Sequence, residues 1–217
     1  MGNISAFLNA FTRVSVVLLV SLYAQTVLHD GAGIAGIKVL PVTIGMLIAS
    51  PISGGLSNRY TARVLSTFGL AISALGLLII LIGLSPEQSY WPYGVGMLLV
   101  GLGSGFFMTP NTRAILTSVP SDKRGFSNGL RSMLQNMGQV LSTAICLTII
   151  SSGLPKKLQD VVVGGSDGVL PKNDIGLLTT GYRWAFLTLF VATLIGVFVS
   201  LLRGNSAKKH EKRLLAK

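Results

Sequence analysis

The segment GMLLVGLGSGFFMTPNTRAILTSVP, from Gly96 to Pro120, places Gly101-x-Gly103-x-Gly105 directly after an apolar run. Between a strand and a helix, glycines at this spacing let the backbone close around a pyrophosphate. The surroundings argue against that chemistry. Phe106 and Phe107 stand around the place of the third glycine, the preceding run is too long for one strand, and no acidic residue follows about twenty positions later to hold a ribose. Other reactive groupings are missing as well. There is no HExxH, Walker A or GxSxG sequence, and the two histidines, His29 and His210, are not spaced as a metal pair or a triad. The single cysteine, Cys146, sits in an apolar run, which leaves no intrachain disulfide or cysteine metal cluster. No enzyme activity, cofactor or metal site is expected.

What remains is the chemistry of polar and small residues set among apolar ones. Gly101 and Gly105 are four apart and share one helical face, a spacing that lets two helix backbones approach closely. Pro110 removes a backbone donor, so a kink is expected near Phe106–Pro110, with Asn111, Thr112 and Arg113 just beyond it. An inward-facing role is expected for Asn111. Arg113 has two readings of equal weight, cavity lining and anchoring at the membrane surface. From Arg124 onward, Gly125 and Gly129 repeat the four-residue spacing, and Asn128, Ser132, Gln135, Gln139 and Ser142 form a polar row on one helical side. Such a helix suits a wet membrane cavity, or interhelical hydrogen bonding alone. Asn9, Arg13, Ser21 and Gln25 interrupt an earlier apolar run, and Pro41, Gly45, Ala49, Pro51, Gly54 and Gly55 mark another as kinkable and closely packed.

The elements that must carry these residues are membrane helices. Half of the 217 residues are hydrophobic (50%), only 12% are charged, and the mean hydropathy is +0.65. A hydrocarbon core of about 30 Å needs roughly 20 apolar residues per helix. Six segments satisfy this, at about 4–28, 37–56, 64–84, 93–119, 126–152 and 184–202, followed by a basic tail at 204–217. A cleaved signal in the first run is disfavoured by the five spans that follow it. A net charge of +11 raises nucleic-acid binding, but the basic residues cluster in alternate connections. Arg59 and Arg63, then Lys123 and Arg124, then Lys208 to Arg213 belong to one side, which the positive-inside rule makes cytoplasmic, with both termini. Tyr90, Trp91, Tyr93, Tyr182 and Trp184 are expected at the outer interface. The stretch from Gly153 to Gly181 reads as an exposed outer loop. All seven Asp and Glu residues fall in expected loops or the tail, so no span carries a carboxylate to relay protons.

Several strings resemble the major facilitator superfamily, in particular the second half of fourteen-helix drug:proton antiporters of the EmrB/QacA type. Pro41, Gly45, Ala49-Ser50-Pro51 and Gly54-Gly55-Leu56 lead into Asn58-Arg59-Tyr60-Thr61-Ala62-Arg63, which is similar to that family's GxLaDRxGrr-like cytoplasmic loop, with Asn58 in place of the usual Asp. Leu22-Tyr23-Ala24-Gln25 followed by Gly36 resembles its LYxQ…G pattern. Gly101–Pro110, Val119-Pro120 and Arg124-Gly125-x-x-Asn128-Gly129-Leu130 resemble its GxGxGxxxxP…svP…RGxasGl run. The resemblance covers roughly Phe7 to Arg203.

The resemblance implies an all-α membrane protein, a six-helix bundle equivalent to one half of such a transporter, in which spans one, two, four and five line the substrate pathway. Efflux of small amphipathic or cationic compounds in exchange for protons is the function expected, in the plasma membrane. Gln25, Asn111, Arg113, Gln135 and Gln139 are the expected pathway residues. Pro41, Gly45, Gly101, Gly105, Pro110, Gly125 and Gly129 are the expected packing and conformational elements, and Gly55, Asn58, Arg59 and Arg63 the gating loop. The coupling carboxylate would belong to a first half outside this sequence. A truncated or split reading frame is the expected origin, with assembly from a second copy as the alternative. Besides the bilayer, substrate and protons, no nucleic-acid partner is expected. The competing readings are a non-transporting membrane assembly protein and an inactive transporter fragment.

Overall fold

In a computed structural model of the chain, residues 2–84, 90–152, 154 and 172–202 are described, residues 172–175 by backbone only. Every regular element among them is helical. They are α1 (Gly2–Thr26), α2 (Ala32–Lys38), α3 (Leu40–Leu56), α4 (Ala62–Ile82), α5 (Trp91–Thr117), a single 3-10 turn (Ser121–Lys123), α6 (Arg124–Ser152) and α7 (Lys172–Leu201). Six helical stretches are long and apolar enough to cross a membrane, α2 and α3 counting together as one.

Two boundaries differ from the sequence reading. The second span is broken at Val39, and Pro41 lies in the first turn of α3, where its missing N–H has no intrahelical acceptor to lose. Pro41 therefore opens a helix instead of bending one. The last helix starts at Lys172, well before Trp184, because Leu178, Tyr182 and Ala185 are fully buried and continue its packed face beyond the apolar run. This also places Asp174 in the first turn of α7. The glycine-rich part of the expected outer loop, the Pro86–Gln88 connection and the basic tail fall outside the described residues.

The helices form two layers. α3 packs on α5, α5 on α1 and α1 on α6, while α4 and α7 lie behind them, α4 against α5 and α7 against both α1 and α6. The pattern repeats itself: α5 holds α3 and α4, α1 holds α6 and α7, and the two triplets meet through α1 with α5 and α4 with α7.

Glycine makes the tightest of these contacts. On one side of α5, a Cβ added at Gly101 would overlap the Val42 backbone of α3, and one at Gly105 would lie 2.7 Å from Ala49 Cβ. The reciprocal position, Gly45, would bring a Cβ within 2.5 Å of the Leu98 carbonyl oxygen. On another side of α5, Gly96 and Gly103 meet Gly76 and Gly69 of α4, where added Cβ atoms at Gly69 and Gly76 would each stand 2.5 Å from a facing carbonyl oxygen. Lipid gives helices no hydrophobic reason to associate, so this close backbone approach supplies the van der Waals attraction that holds α3 and α4 to α5. Gly55, Gly125 and Gly129 differ: a Cβ at any of them meets nothing within 4 Å.

Pro110 leaves a second mark. It lies inside α5 and cannot donate to the carbonyl of Phe106, four residues earlier. Ser53 Oγ of α3 donates to that oxygen at 3.1 Å. A neighbouring hydroxyl thus satisfies a carbonyl that would otherwise be unpaired in lipid.

At the end opposite the basic connections, aromatic rings join α1, α5 and α7. Tyr23 meets Tyr182 edge-on at 5.3 Å and Tyr93 at 5.5 Å, and the Tyr182 hydroxyl is 3.0 Å from Thr26 Oγ1. Tyr93 and Tyr182 are therefore core residues and not the interfacial rings expected from sequence, whereas Trp91 and Trp184 point outward, 73% and 60% exposed. Tyr90 donates to the Lys38 carbonyl at 2.6 Å, and Lys38 pairs with Asp30. Burial raises the Tyr90 phenol above its ordinary pKa.

Candidate functional site

α1 is the centre of the polar chemistry because three of its sides are taken by three neighbours. Asn9 Nδ2 is 3.5 Å from Ser104 Oγ of α5, Thr12 Oγ1 is 2.9 Å from Thr193 Oγ1 of α7, and Ser15 Oγ donates to Ser142 Oγ of α6 at 2.6 Å. Interhelical hydrogen bonds of this kind contribute about 0.6 kcal/mol each on average in a membrane. They fix the rotation of α1, and that rotation decides which residues stay open. Arg13, Val17, Ser21 and Gln25, at four-residue steps, form a half-buried strip that, among the described residues, makes no hydrogen bond to another helix. α5 and α6 flank this strip, each packed on α1 and hardly touching one another, with α7 on the opposite side.

Gln25 is at the end of the strip away from the basic connections, its amide donating to Ser21 O and Ser21 Oγ, both at 3.2 Å. On α6, Gln135 and Gln139 are half-buried and share the helical side of Gly138 and Ser142, the residues that meet Phe7 and Ser15 of α1. The polar row of α6 and the strip of α1 therefore border one cleft. The geometry gives that cleft amide donors and acceptors along an otherwise apolar wall, which suits loose binding of an amphipathic molecule.

The other two expected pathway residues stand elsewhere. Asn111 is 1% exposed and donates from Nδ2 to the Gly2 carbonyl at 3.1 Å, tying α5 to the first residue of α1. It is inward-facing, but at the helix end. Arg113 is exposed at the same end and donates from Nη1 to Asn58 Oδ1 at 2.8 Å. It joins the α3–α4 turn and not the glutamines.

That turn is held by its own backbone, with Ser57 N to Ser53 O and Tyr60 N to Leu56 O both at 2.9 Å, and Thr61 caps α4 by accepting from Val64 N. Arg59 is exposed and Arg63 half-buried. Across the bundle, Arg131 of α6 donates to Thr112 Oγ1 at 3.1 Å and to Asn128 Oδ1, linking α6 to α5. Sequence reading missed the Arg113–Asn58 and Arg131–Thr112 links, since no spacing rule connects residues on different helices. Among the described residues no group of His, Cys, Asp and Glu could hold a metal ion.

A two-layer bundle of six membrane helices, built from two similar triplets and open along one polar strip, defines a class of polytopic membrane protein related to transporters. The sequence matches the Major Facilitator Superfamily over residues 3–217, and the chain belongs to that family. It is a transporter-family chain and not an enzyme. It is 29% identical to the multidrug resistance protein Stp of Mycobacterium tuberculosis over 69% of this chain and 27% of that protein. It is 31% identical to the uncharacterized transporter YebQ of Escherichia coli over 59% of this chain and 28% of that protein. With the lincomycin resistance protein LmrB of Listeria innocua it shares 26% identity over 93% of this chain and 41% of that protein. The chain thus spans about a quarter to two-fifths of the length of these relatives.

Proposed function

We propose that this chain is the C-terminal half of a proton-coupled efflux permease that exports small amphipathic compounds. The observation that carries the reading is the open strip of α1 with Gln25, bordered by Gln135 and Gln139 of α6: a polar groove on one side of an otherwise lipid-compatible bundle, where a second set of helices would close a central site. In that arrangement α1, α3, α5 and α6 form the layer that faces the other half, and the α4–α7 layer faces lipid. The glycine contacts of α5 hold α3 and α4 as one body during rocking, with Pro41 and Pro110 setting helix ends and bends. Asn58, Arg59 and Arg63 act at the gating turn, which Arg113 steadies. The basic connections and both termini face the cytoplasm, and the protein resides in the plasma membrane. α1 and α3 to α6 carry no Asp or Glu, and α7 only Asp174 in its first turn. The proton-coupling carboxylate accordingly belongs to the other half.

The test is export from a pump-deficient host of radiolabelled amphiphiles of either charge. The chain would be expressed alone and joined to the reading frame that precedes it. Export by the joined protein only, collapsing when the proton gradient is dissipated, is the expected result. Gradient-dependent export by the chain alone overturns the half-permease reading, and absence of export from both overturns the transport reading.

A further inference from the structure

Four arginines sit within the helices beyond their first turns, and three have partners. Arg113 donates to Asn58, Arg131 to Thr112 and Asn128, and Arg183 of α7 to the Leu84 carbonyl at 3.0 Å. Arg13 is the fourth, and its Nε is buried without a hydrogen-bond partner among the described residues.

Its depth makes this costly. α1 has 25 residues, so at 1.5 Å per residue Arg13 is about 17 Å from the Gly2 end and about 20 Å from the Thr26 end, near the centre of a hydrocarbon core of about 30 Å. An arginine at that depth cannot place its charge among headgroups, and ionisable residues there normally face a cavity and pair with an opposite charge. The described spans offer no such charge, since no carboxylate lies on α1 or on α3 to α6. Arg13 begins the half-buried strip that continues through Val17 and Ser21 to Gln25, so the residue stands at the edge of the cleft, and the planar set of donors of a guanidinium matches an oxyanion fork.

We infer that Arg13 is the anion-binding residue of this cleft and takes the carboxylate of an amphipathic small molecule, whose apolar body lies along Val14, Val17 and Leu18. This rests on the cleft of the proposed permease and narrows its substrate class: a cation with no countercharge on the surrounding helices repels simple cationic compounds and retains anionic or zwitterionic ones.

The chain in lipid nanodiscs would be titrated by equilibrium dialysis with 1-naphthoate and with 1-naphthylmethylammonium, which share a ring system and differ in charge. Naphthoate is expected to bind about tenfold more tightly, in line with one charge-assisted contact. Arg13→Gln should abolish that preference and Arg13→Lys should keep most of it. Equal binding of the two probes by the native chain, a measurement that needs no variant, overturns the inference, as does a preference that survives in Arg13→Gln. In the protein joined to its preceding reading frame, naphthoate binding should persist. Its loss on joining would mean that a carboxylate of the facing helices occupies Arg13, overturning the small-molecule assignment. Export without charge preference would overturn this inference while leaving the permease reading intact; charge-selective binding without export would do the reverse.

Discussion

Arg113 Nη1 donates to Asn58 Oδ1 at 2.8 Å, so the last turns of α5 are fastened to the turn between α3 and α4. The bond is exposed at the basic end of the bundle, and its acceptor is a neutral amide. Replacing Asn58 with Asp would turn this bond from a charged donor to a neutral acceptor into an exposed ion pair.

If Arg113 acts by steadying the turn, Asn58→Ala and Arg113→Leu should have equal effects on export by the joined protein, and the double variant should be no worse than either. Amide exchange at residues 57–61 should quicken in both, corresponding to about 1 kcal/mol or less for an exposed contact. Export lost in Arg113→Leu but kept in Asn58→Ala would assign Arg113 to the pathway instead.

The glycines of the bundle divide by what faces them, and the division can be measured. Gly69→Ala and Gly45→Ala place a methyl 2.5 Å from a backbone oxygen that cannot move alone, so the helices must separate. Each should lower stability in detergent unfolding by about 1–3 kcal/mol, the usual range for overpacking. Gly125→Ala and Gly129→Ala meet open space and should be neutral or gain up to about 1 kcal/mol from helix propensity. A loss at Gly129 as large as that at Gly69 would show that another surface packs there.

The helices themselves were legible because each is a run of about 20 apolar residues, a pattern that needs no tertiary information. Gly101 and Gly105 could be read as a contact face from spacing alone, but that α5 uses another side, Gly96 and Gly103, against α4 required the neighbour. The break at Val39 was signalled by Pro41, which lacks the N–H for the Ile37 carbonyl and is tolerated in a helix's first turn but not its interior, yet the surrounding apolar run masked it. Lys172, Asn173 and Asp174 read as loop because their polarity outweighs helix geometry in a hydropathy scan, whereas buried Leu178 and Tyr182 extend α7 to them. In the candidate site, Gln135 and Gln139 stand out in the sequence by the periodicity of their polar row, and Gln25 as a polar break in an apolar run. The cleft they border, and the placement of Asn111 and Arg113 outside it, depend on how α1 is rotated by Ser15, Thr12 and Asn9, which periodicity does not encode.

Cys146 is fully buried on the face of α6 turned toward α1 and α7, near the Ser15–Ser142 pair. A thiol there cannot present a solvated thiolate. Maleimide should leave it unlabelled in the folded chain and react stoichiometrically after denaturation in SDS. Complete labelling of the folded chain within minutes would mean that α6 separates from α1 readily.

The Phe106 carbonyl offers the sharpest test of packing against local chemistry. Pro110 deprives it of its helical donor, and Ser53 Oγ, 3.1 Å away on α3, is its replacement. Ser53→Ala should cost about 1 kcal/mol, because a carbonyl left unsatisfied away from water loses a full hydrogen bond. Pro110→Ala restores the N–H within α5, so the same Ser53→Ala change made in that background should cost clearly less. The two substitutions are therefore coupled, and the double-mutant cycle reads the coupling directly from unfolding free energies. Strict additivity would show that Ser53 stabilises α3 against α5 by packing alone and that the Phe106 oxygen finds another donor.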